Sequence, residues 1–207
     1  MRIITISREF GSGGRELGRL ISDVLGFDYY DREIITMIAK NYGFDEKYVE
    51  RTLDLRAWNA APISWRCSFS IPSVMEPTMQ TGLLLEQRQV IEKIAKQEKD
   101  CVIVGRNADV ILEDHRLFRI FVCADREAKI RRCMEHAVEG EKLTRKEIEK
   151  NMRRIDKNRA YNREIISDSR WGDPHSYNLT VNTTDWDLTR LAPLIASHAR
   201  AFFDQNL

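Results

Sequence analysis

The sequence predicts an α/β fold built on a doubly wound parallel sheet. A short β-branched run leads through a glycine-rich turn into a helical pattern, and apolar runs of strand length then alternate with segments of helical period. Two of those runs, CVIVG and LFRIFVCA, are apolar almost throughout, which is typical of strands covered on both faces. Ligands of such sheets bind at the carboxyl ends of the strands, so we expect a site there.

The first strand–helix unit comes from RIITIS, a buried strand, followed by the helical pattern RELGRLISDVLG, which Gly26 ends. The next two patterns, DREIITMIAKNYG and DEKYVERTLDL, predict helices that open on acidic residues, as suits a helix N-terminus. They indicate a helical insertion, which we place at residues 31–82.

Residues 57–81 lose all periodicity and contain three prolines together with Trp58 and Trp65. An irregular stretch of this length is a functional lid, a contact surface or a disordered loop. Its aromatic residues favour an ordered surface, through which copies of the chain could associate. Helical spacing returns at Thr81 and leads to the two apolar strands.

The second half contains a long helix that begins at Thr144, where Glu147 completes a capping box. A strand in YNLTVNTT and a helix in LTRLAPLIASHARAFF close the chain. These elements predict one domain over residues 1–207. Its parts are a core (1–30, 83–125 and 176–207), the insertion (31–82) and a group of helices (126–170).

Composition limits the class of protein. The 33 basic and 32 acidic residues give a net charge of +1, which argues against binding of a nucleic-acid polymer through a globally basic surface. A local excess lies at residues 126–163, with thirteen Lys/Arg against seven Asp/Glu; it indicates a solvated helical face or, alternatively, an RNA-binding surface. No apolar stretch is long enough to span a bilayer, and no Cys or His spacing fits a metal site, so we expect a cytoplasmic protein with no membrane contact and no protein-held metal.

The glycine-rich turn resembles a phosphate-binding loop. In the pattern GxxxxGK[ST], glycines turn backbone N–H groups toward phosphates and the following helix adds its positive end. Here the backbone of that cradle would come from Gly11, Ser12, Gly13 and Gly14. A plain turn is the alternative.

The register of this loop is ambiguous by one residue. With Gly13 as the second glycine, Arg8 stands for the first glycine and Gly14 for the lysine; with Gly14 as the second glycine, Arg15 stands for the lysine. Neither register provides the Ser or Thr that binds Mg²⁺, since only Arg15 or Glu16 follows. We expect Arg15 to supply the missing charge.

Five segments in order, ISREFGSGGRELG, FDYYDREII, VIVGRNADVIL, IDKNRA and WGDPHSYNLTVNT, make the chain resemble the cytidylate kinase-like family of P-loop proteins from Arg2 to about Phe203. The resemblance implies a P-loop NTPase-type fold with a five-stranded sheet, a helical lid (126–170) and an acceptor-binding insertion (31–82). It also implies ATP and Mg²⁺ as cofactors, with a small-molecule nucleotide as substrate. The reaction would be transfer of the ATP γ-phosphoryl group to a nucleoside monophosphate or a related phosphorylated acceptor, with cytidine monophosphate as one candidate.

The resemblance also assigns residues. On the lid helix, Asp156, Arg159 and Arg163 lie at spacings that place them near one face, so the carboxylate could hold a guanidinium while the arginines contact phosphates. The loop Gly11 to Glu16 would bind the donor phosphates, with Arg15 also catalytic.

The acceptor-binding residues implied by the resemblance are Asp31, Arg106, Asn107 and Arg153. Asn107 replaces an acidic residue of the related kinases, and Arg32 stands where a serine usually follows Asp31. These departures leave the acceptor open. A nucleotide-binding regulator that has lost catalysis is the second candidate function, and RNA binding along residues 126–163 is the third.

Overall fold

The computed structural model describes residues 1–54, 76–136 and 144–205. The strands are β1 (Ile3–Arg8), β2 (Asp28–Tyr30), β3 (Cys101–Val104), β4 (Leu117–Cys123) and β5 (Leu179–Asn182). The helices are α1 (Gly14–Leu25), α2 (Arg32–Tyr42), α3 (Glu46–Asp54), α4 (Glu76–Ala95), α5 (Ala108–Ile111), α6 (Arg126–Glu135), α7 (Arg145–Ile166) and α8 (Leu188–Asp204), with a short 3₁₀ helix at Pro174–Ser176.

The five strands form one parallel sheet in the order β2-β3-β1-β4-β5, which confirms the predicted fold class. Strand β1 is central: Ile6 is paired with Val104 of β3 on one side and with Ile120 of β4 on the other. The carboxyl ends of β1, β3 and β4 therefore lie together, and the glycine loop leaves the sheet at this edge.

Apolar side chains of the strands alternate between two cores, one on each face of the sheet. Ile3 and Ile103 pack with helices α2, α3 and α4, whereas Ile4 and Val102 pack with α1 and α8. Both faces of β3 are buried, as its unbroken apolar sequence predicts.

Local sequence signals for the helix ends are confirmed. Gly26 ends α1 in the left-handed conformation (φ 69°) and donates its N–H to Ser22 O. At the start of α7 the Thr144 hydroxyl accepts from the Glu147 N–H while the Glu147 carboxylate accepts from the Thr144 N–H at 2.8 Å.

Two elements differ from the sequence prediction. Helix α4 begins at Glu76, five residues before Thr81, with Pro77 in the first turn, where its missing N–H costs nothing. Strand β2 was not predicted from its residues because it is three residues long and only partly buried at the edge of the sheet. The predicted association surface at 57–81 lies mostly outside the described residues. None of the described helices is both long and apolar enough to cross a membrane.

Candidate phosphate-binding site

A polar cavity of about 110 Å³ opens at the carboxyl ends of β1 and β3. Helices α3, α4 and α7 close its sides, and Trp171 contributes an aromatic wall. Four arginines line it together: Arg8, Arg15, Arg106 and Arg159. Among the lining residues that the structure describes, Glu50 is the single acid. The cavity therefore carries excess positive charge, which suits an anionic ligand.

The glycine loop beside this cavity is held in shape through its carbonyl groups. The Arg132 guanidinium donates to Gly11 O at 3.0 Å, and the Thr183 hydroxyl donates to Ser12 O at 2.7 Å. Gly11 and Gly13 both adopt φ of 76°, a conformation that favours glycine. The loop carbonyls thus point into the protein.

The N–H groups of the same loop are left for a ligand. Helix α1 begins at Gly14, and the first N–H groups of a helix have no partner within it. None of the hydrogen bonds among residues 1–54, 76–136 and 144–205 uses the N–H of Gly13, Gly14, Arg15 or Glu16. Such N–H groups at the positive end of a helix suit an anionic ligand.

Arg8, the last residue of β1, is a cavity residue that the sequence analysis did not propose. Its side chain is only 12% exposed and lies 3.4 Å from the Asp31 carboxylate. Burial lowers the pKa of Arg8 to about 9, the nearby Arg159, Arg15 and Arg106 act in the same direction, and Asp31 acts against them. A charged residue ending a buried strand in a doubly wound fold was the signal that could have identified it.

Asp31 precedes α2 and is shared between two arginines. Its second oxygen pairs with Arg15 Nε at 2.5 Å, and Arg15 is half exposed. The Arg15 guanidinium therefore lies beside the residue expected at the acceptor. One carboxylate balances two guanidinium groups here.

Asp156 and Arg159 attach α7 to the glycine loop. Asp156 Oδ1 accepts from the Phe10 N–H at 2.7 Å and from Arg159 at 3.1 Å. Arg159 also donates to Arg8 O at 2.9 Å. Burial raises the pKa of Asp156, although Arg159 and the Phe10 amide act in the opposite direction. The expected pairing of the Asp156 carboxylate with a guanidinium is present, and both side chains also hydrogen-bond to the backbone of residues 8–10.

The structure does not bring Arg163 into the cavity. Its guanidinium forms a 2.6 Å ion pair with Asp109, both side chains are 3% exposed, and it stacks over the Tyr177 ring at 5.4 Å. One helical turn separates it from Arg159, but its partner lies on α5. We therefore propose a structural role for Arg163 in place of the expected phosphate contact.

Arg106 and Asn107 form a strained turn after β3. Gly105, Arg106 and Asn107 have φ of 78°, 57° and 53°, and only the first is a glycine. The buried Gln87 amide donates to Arg106 O at 3.1 Å, and Asn107 Nδ2 donates to Asn162 O at 3.3 Å. Strain of this kind is concentrated at functional sites.

Arg153 and Glu16 are among the expected residues that do not line the cavity. Arg153 lines a separate surface groove between α6 and α7, together with Arg126 and Lys129. Glu16 lines another groove beside Arg132 and the half-exposed Trp186. Neither side chain lies among the four arginines that line the cavity.

The described residues contain no cluster of three or more His, Cys, Asp or Glu side chains that could hold a metal ion. The usual phosphate-binding loop has a Ser or Thr that binds Mg²⁺, and this chain lacks it. The hydroxyl nearest in sequence to that position belongs to Ser12, which is buried and donates to Glu9 O at 2.9 Å.

Comparison with known proteins agrees with the fold. The sequence matches the cytidylate kinase-like family over residues 3–185. No curated protein sequence matches the chain. Among solved structures, an uncharacterized protein from Eubacterium ventriosum is similar with a TM-score of 0.71 and 23% identity, covering 97% of this chain and 99% of the other.

Two shikimate kinases share the fold at lower identity. The enzyme from Bacteroides thetaiotaomicron has a TM-score of 0.55 and 10% identity, covering 96% of this chain and 98% of its own. The enzyme from Acinetobacter baumannii, solved with shikimate, has a TM-score of 0.52 and 13% identity, covering 99% and 96%. The family match spans most of the sequence, and these structures share the whole architecture. The chain belongs to the cytidylate kinase-like family and has the fold of the P-loop kinases.

Proposed function

We propose that the protein transfers the γ-phosphoryl group of ATP to a small phosphorylated acceptor of the nucleoside monophosphate type. The family and the fold support phosphoryl transfer as the class of reaction. The observation that carries the proposal is the cluster of four arginines in a cavity beside the glycine loop. Phosphoryl transfer depends on positioning and on positive charge around the transferred group, and guanidinium groups provide both.

The donor phosphates would bind the N–H groups at the start of α1. Gly13, Gly14 and Arg15 present these groups at the positive end of the helix. Mg²⁺ bound to the donor would neutralise part of the phosphate charge. The exposed Trp186 and Arg132 line a groove next to Glu16, which offers a flat surface for the donor base.

The acceptor would occupy the cavity. Arg106 and Arg15 line it, Arg15 is paired with Asp31, and Asn162 Oδ1 is a buried acceptor without a hydrogen-bond partner among the described residues. Such an oxygen fits a ligand hydroxyl or amine. An acceptor with an anionic group and a hydrogen-bond donor meets both requirements, as cytidine monophosphate does.

Helix α7 would position the reacting groups. Asp156 fixes Arg159 and anchors the helix to the Phe10 amide, so the guanidinium faces the junction of the loop and the cavity. The same helix covers the cavity and would keep water from competing as the acceptor.

The test is ATP consumption in the presence of Mg²⁺ with a panel of nucleoside monophosphates. We expect turnover with at least one acceptor, and Arg159→Ala should lower kcat by about 10²–10³ because one preorganised cation is lost. Arg88→Ala is the matched control, since Arg88 is an exposed arginine paired with Glu92 on α4. ATP binding without turnover on any acceptor would favour the nucleotide-binding regulator instead.

RNA binding along α6 and α7 has weaker support. Much of the positive charge there is paired: Lys129 with Glu9, Arg126 with Glu149, and Arg145 with Glu127 and Glu149. Cytoplasmic location and a small-molecule substrate remain part of the proposal.

A further inference from the structure

The Arg8 side chain runs through a passage between two glycines. A Cβ atom at Gly14 would lie 2.8 Å from Arg8 Cβ and 3.1 Å from Arg8 Cδ. A Cβ atom at Gly105 would lie 2.6 Å from Arg8 Nη1. All three distances are shorter than ordinary van der Waals contact, so any side chain at position 14 would collide with the stem of Arg8.

We propose that Arg8 supplies the positive charge that a lysine provides in the usual phosphate-binding loop, and that Gly14 is a glycine because Arg8 passes through the space a lysine there would need. The pattern GxxxxGK is thus present with two positions exchanged. The cation has moved to the first glycine position, Arg8, and the glycine has moved to the lysine position, Gly14. This fixes the register of the loop with Gly13 as the second glycine. The inference rests on the proposed function, because it identifies a residue that binds the transferred phosphoryl group.

The charge balance around Arg8 supports a ligand role over a purely structural ion pair. Asp31 is its acidic partner at 3.4 Å, and that carboxylate is engaged more closely by Arg15 at 2.5 Å. Arg106 and Arg159 add two more positive groups nearby. A buried guanidinium with so little compensation is costly in the ligand-free protein, and a phosphate beside it would remove that cost.

The position of the guanidinium agrees with this role. It lies against Gly105 at the end of β3, next to the strand that leads into the glycine loop. Arg15, which the sequence analysis chose as the replacement charge, is half exposed and engaged with Asp31. Arg8 is the more deeply buried of the two and the less closely engaged by Asp31, so we assign the phosphate contact to it.

The test compares the ATP affinity of six proteins by calorimetry: wild type, Arg8→Met, Arg8→Lys, Arg8→Gly, Arg15→Met and the exchange variant Arg8→Gly/Gly14→Lys. Arg8→Met keeps the volume of the stem and should weaken ATP binding about 10–100-fold. Arg8→Lys, which keeps a charge, should recover part of that loss. The exchange variant restores the pattern GxxxxGK and should bind ATP more tightly than Arg8→Gly alone.

Thermal unfolding of the ligand-free proteins provides a second readout. Arg8→Met should unfold at a higher temperature than wild type, because a poorly compensated buried charge is removed. A structural ion pair would give the opposite change. Arg88→Met, an exposed arginine of α4, is the control and should leave both readouts unchanged.

The outcomes separate the two proposals. If wild type and Arg8→Met bind ATP equally well, the role of Arg8 is overturned and the proposed function is unaffected. Wild type with neither ATP binding nor turnover overturns the proposed function itself. If Arg15→Met loses ATP binding and Arg8→Met does not, then Arg15 and not Arg8 supplies the charge of the missing lysine.

Discussion

The Asp156 carboxylate and the Phe10 backbone N–H are joined by a 2.7 Å hydrogen bond that connects α7 with the glycine loop. The two residues are 146 positions apart, yet the bond determines where Arg159 lies, because the same carboxylate oxygen also accepts from that guanidinium at 3.1 Å. Asp156 is thus a positioning residue in the proposed reaction.

Replacement of Asp156 should separate these two contacts. Asp156→Asn keeps an acceptor for the Phe10 N–H but loses the charge that holds Arg159, so kcat should fall about tenfold. Asp156→Ala loses both contacts and should cost about 10²-fold, since small displacements of a catalytic group are costly. Steady-state kinetics measures both variants. Glu164→Gln, an exposed change on the same helix, is the control, and equal activity of all four proteins would exclude the positioning role.

The raised pKa of Asp156 predicts a pH dependence of stability. Above the ordinary value of 3.8 and below the raised pKa, the folded protein binds more protons at this residue than the unfolded chain does. The contribution of Asp156 to the free energy of unfolding therefore falls as the pH rises through this window. Urea titrations of wild type and Asp156→Asn between about pH 3.5 and 6 measure it as the difference between the two proteins. If the difference in free energy of unfolding between the two proteins grows with pH, the Arg159 ion pair has a larger effect on the pKa of Asp156 than burial has.

The left-handed turn after β3 predicts opposite effects on stability and function. Arg106→Gly relieves a φ of 57° and should raise the free energy of unfolding by about 1 kcal/mol. Because the guanidinium is lost from the cavity, the KM for the acceptor should rise. Arg106→Ala removes the same guanidinium without relieving the backbone, so it should raise KM without the gain in stability. Denaturant titration and acceptor kinetics on both variants test this. Equal free energies of unfolding for the two variants would show that the backbone at position 106 is not strained.

The buried pair of Arg163 and Asp109 predicts a large loss of stability. Arg163→Met leaves the Asp109 carboxylate buried without its cation and should cost about 3–5 kcal/mol. Arg163→Met/Asp109→Leu removes both charges and should recover most of the loss. Urea unfolding of wild type, Arg163→Met and the double variant measures these changes in the free energy of unfolding. A folded single variant with normal stability and a kcat lowered like that of Arg159→Ala would place Arg163 in the reaction after all.

Sequence reasoning succeeded where the signal is local. The glycine that ends α1, the capping box of Thr144 and Glu147, and the buried strands β3 and β4 each depend on residues within a few positions of one another. The parallel, doubly wound class of the sheet could also be predicted, because buried strands that alternate with helices favour it. The strand order was not predicted.

The parts that were missed depend on distant partners. The role of Arg8 becomes visible only when Gly14 and Gly105 are seen on either side of it, and one of them is nearly a hundred residues away. Arg163 was expected at a phosphate because its spacing from Arg159 suits one helix face, whereas Asp109 on another helix decides its position. Helical periodicity gives a direction for a side chain but not its partner.

The carbonyl contacts of the glycine loop have a consequence for the order in which the protein assembles. The loop begins ten residues into the chain, but Arg132 on α6 and Thr183 after β5 hold its Gly11 and Ser12 carbonyls. Contacts of such sequence separation form late in folding. A nascent chain that has not yet produced Thr183 therefore has the complete glycine motif without the contact that holds the Ser12 carbonyl. We expect the loop shape required for the proposed phosphate binding to be completed only when the last strand joins the sheet.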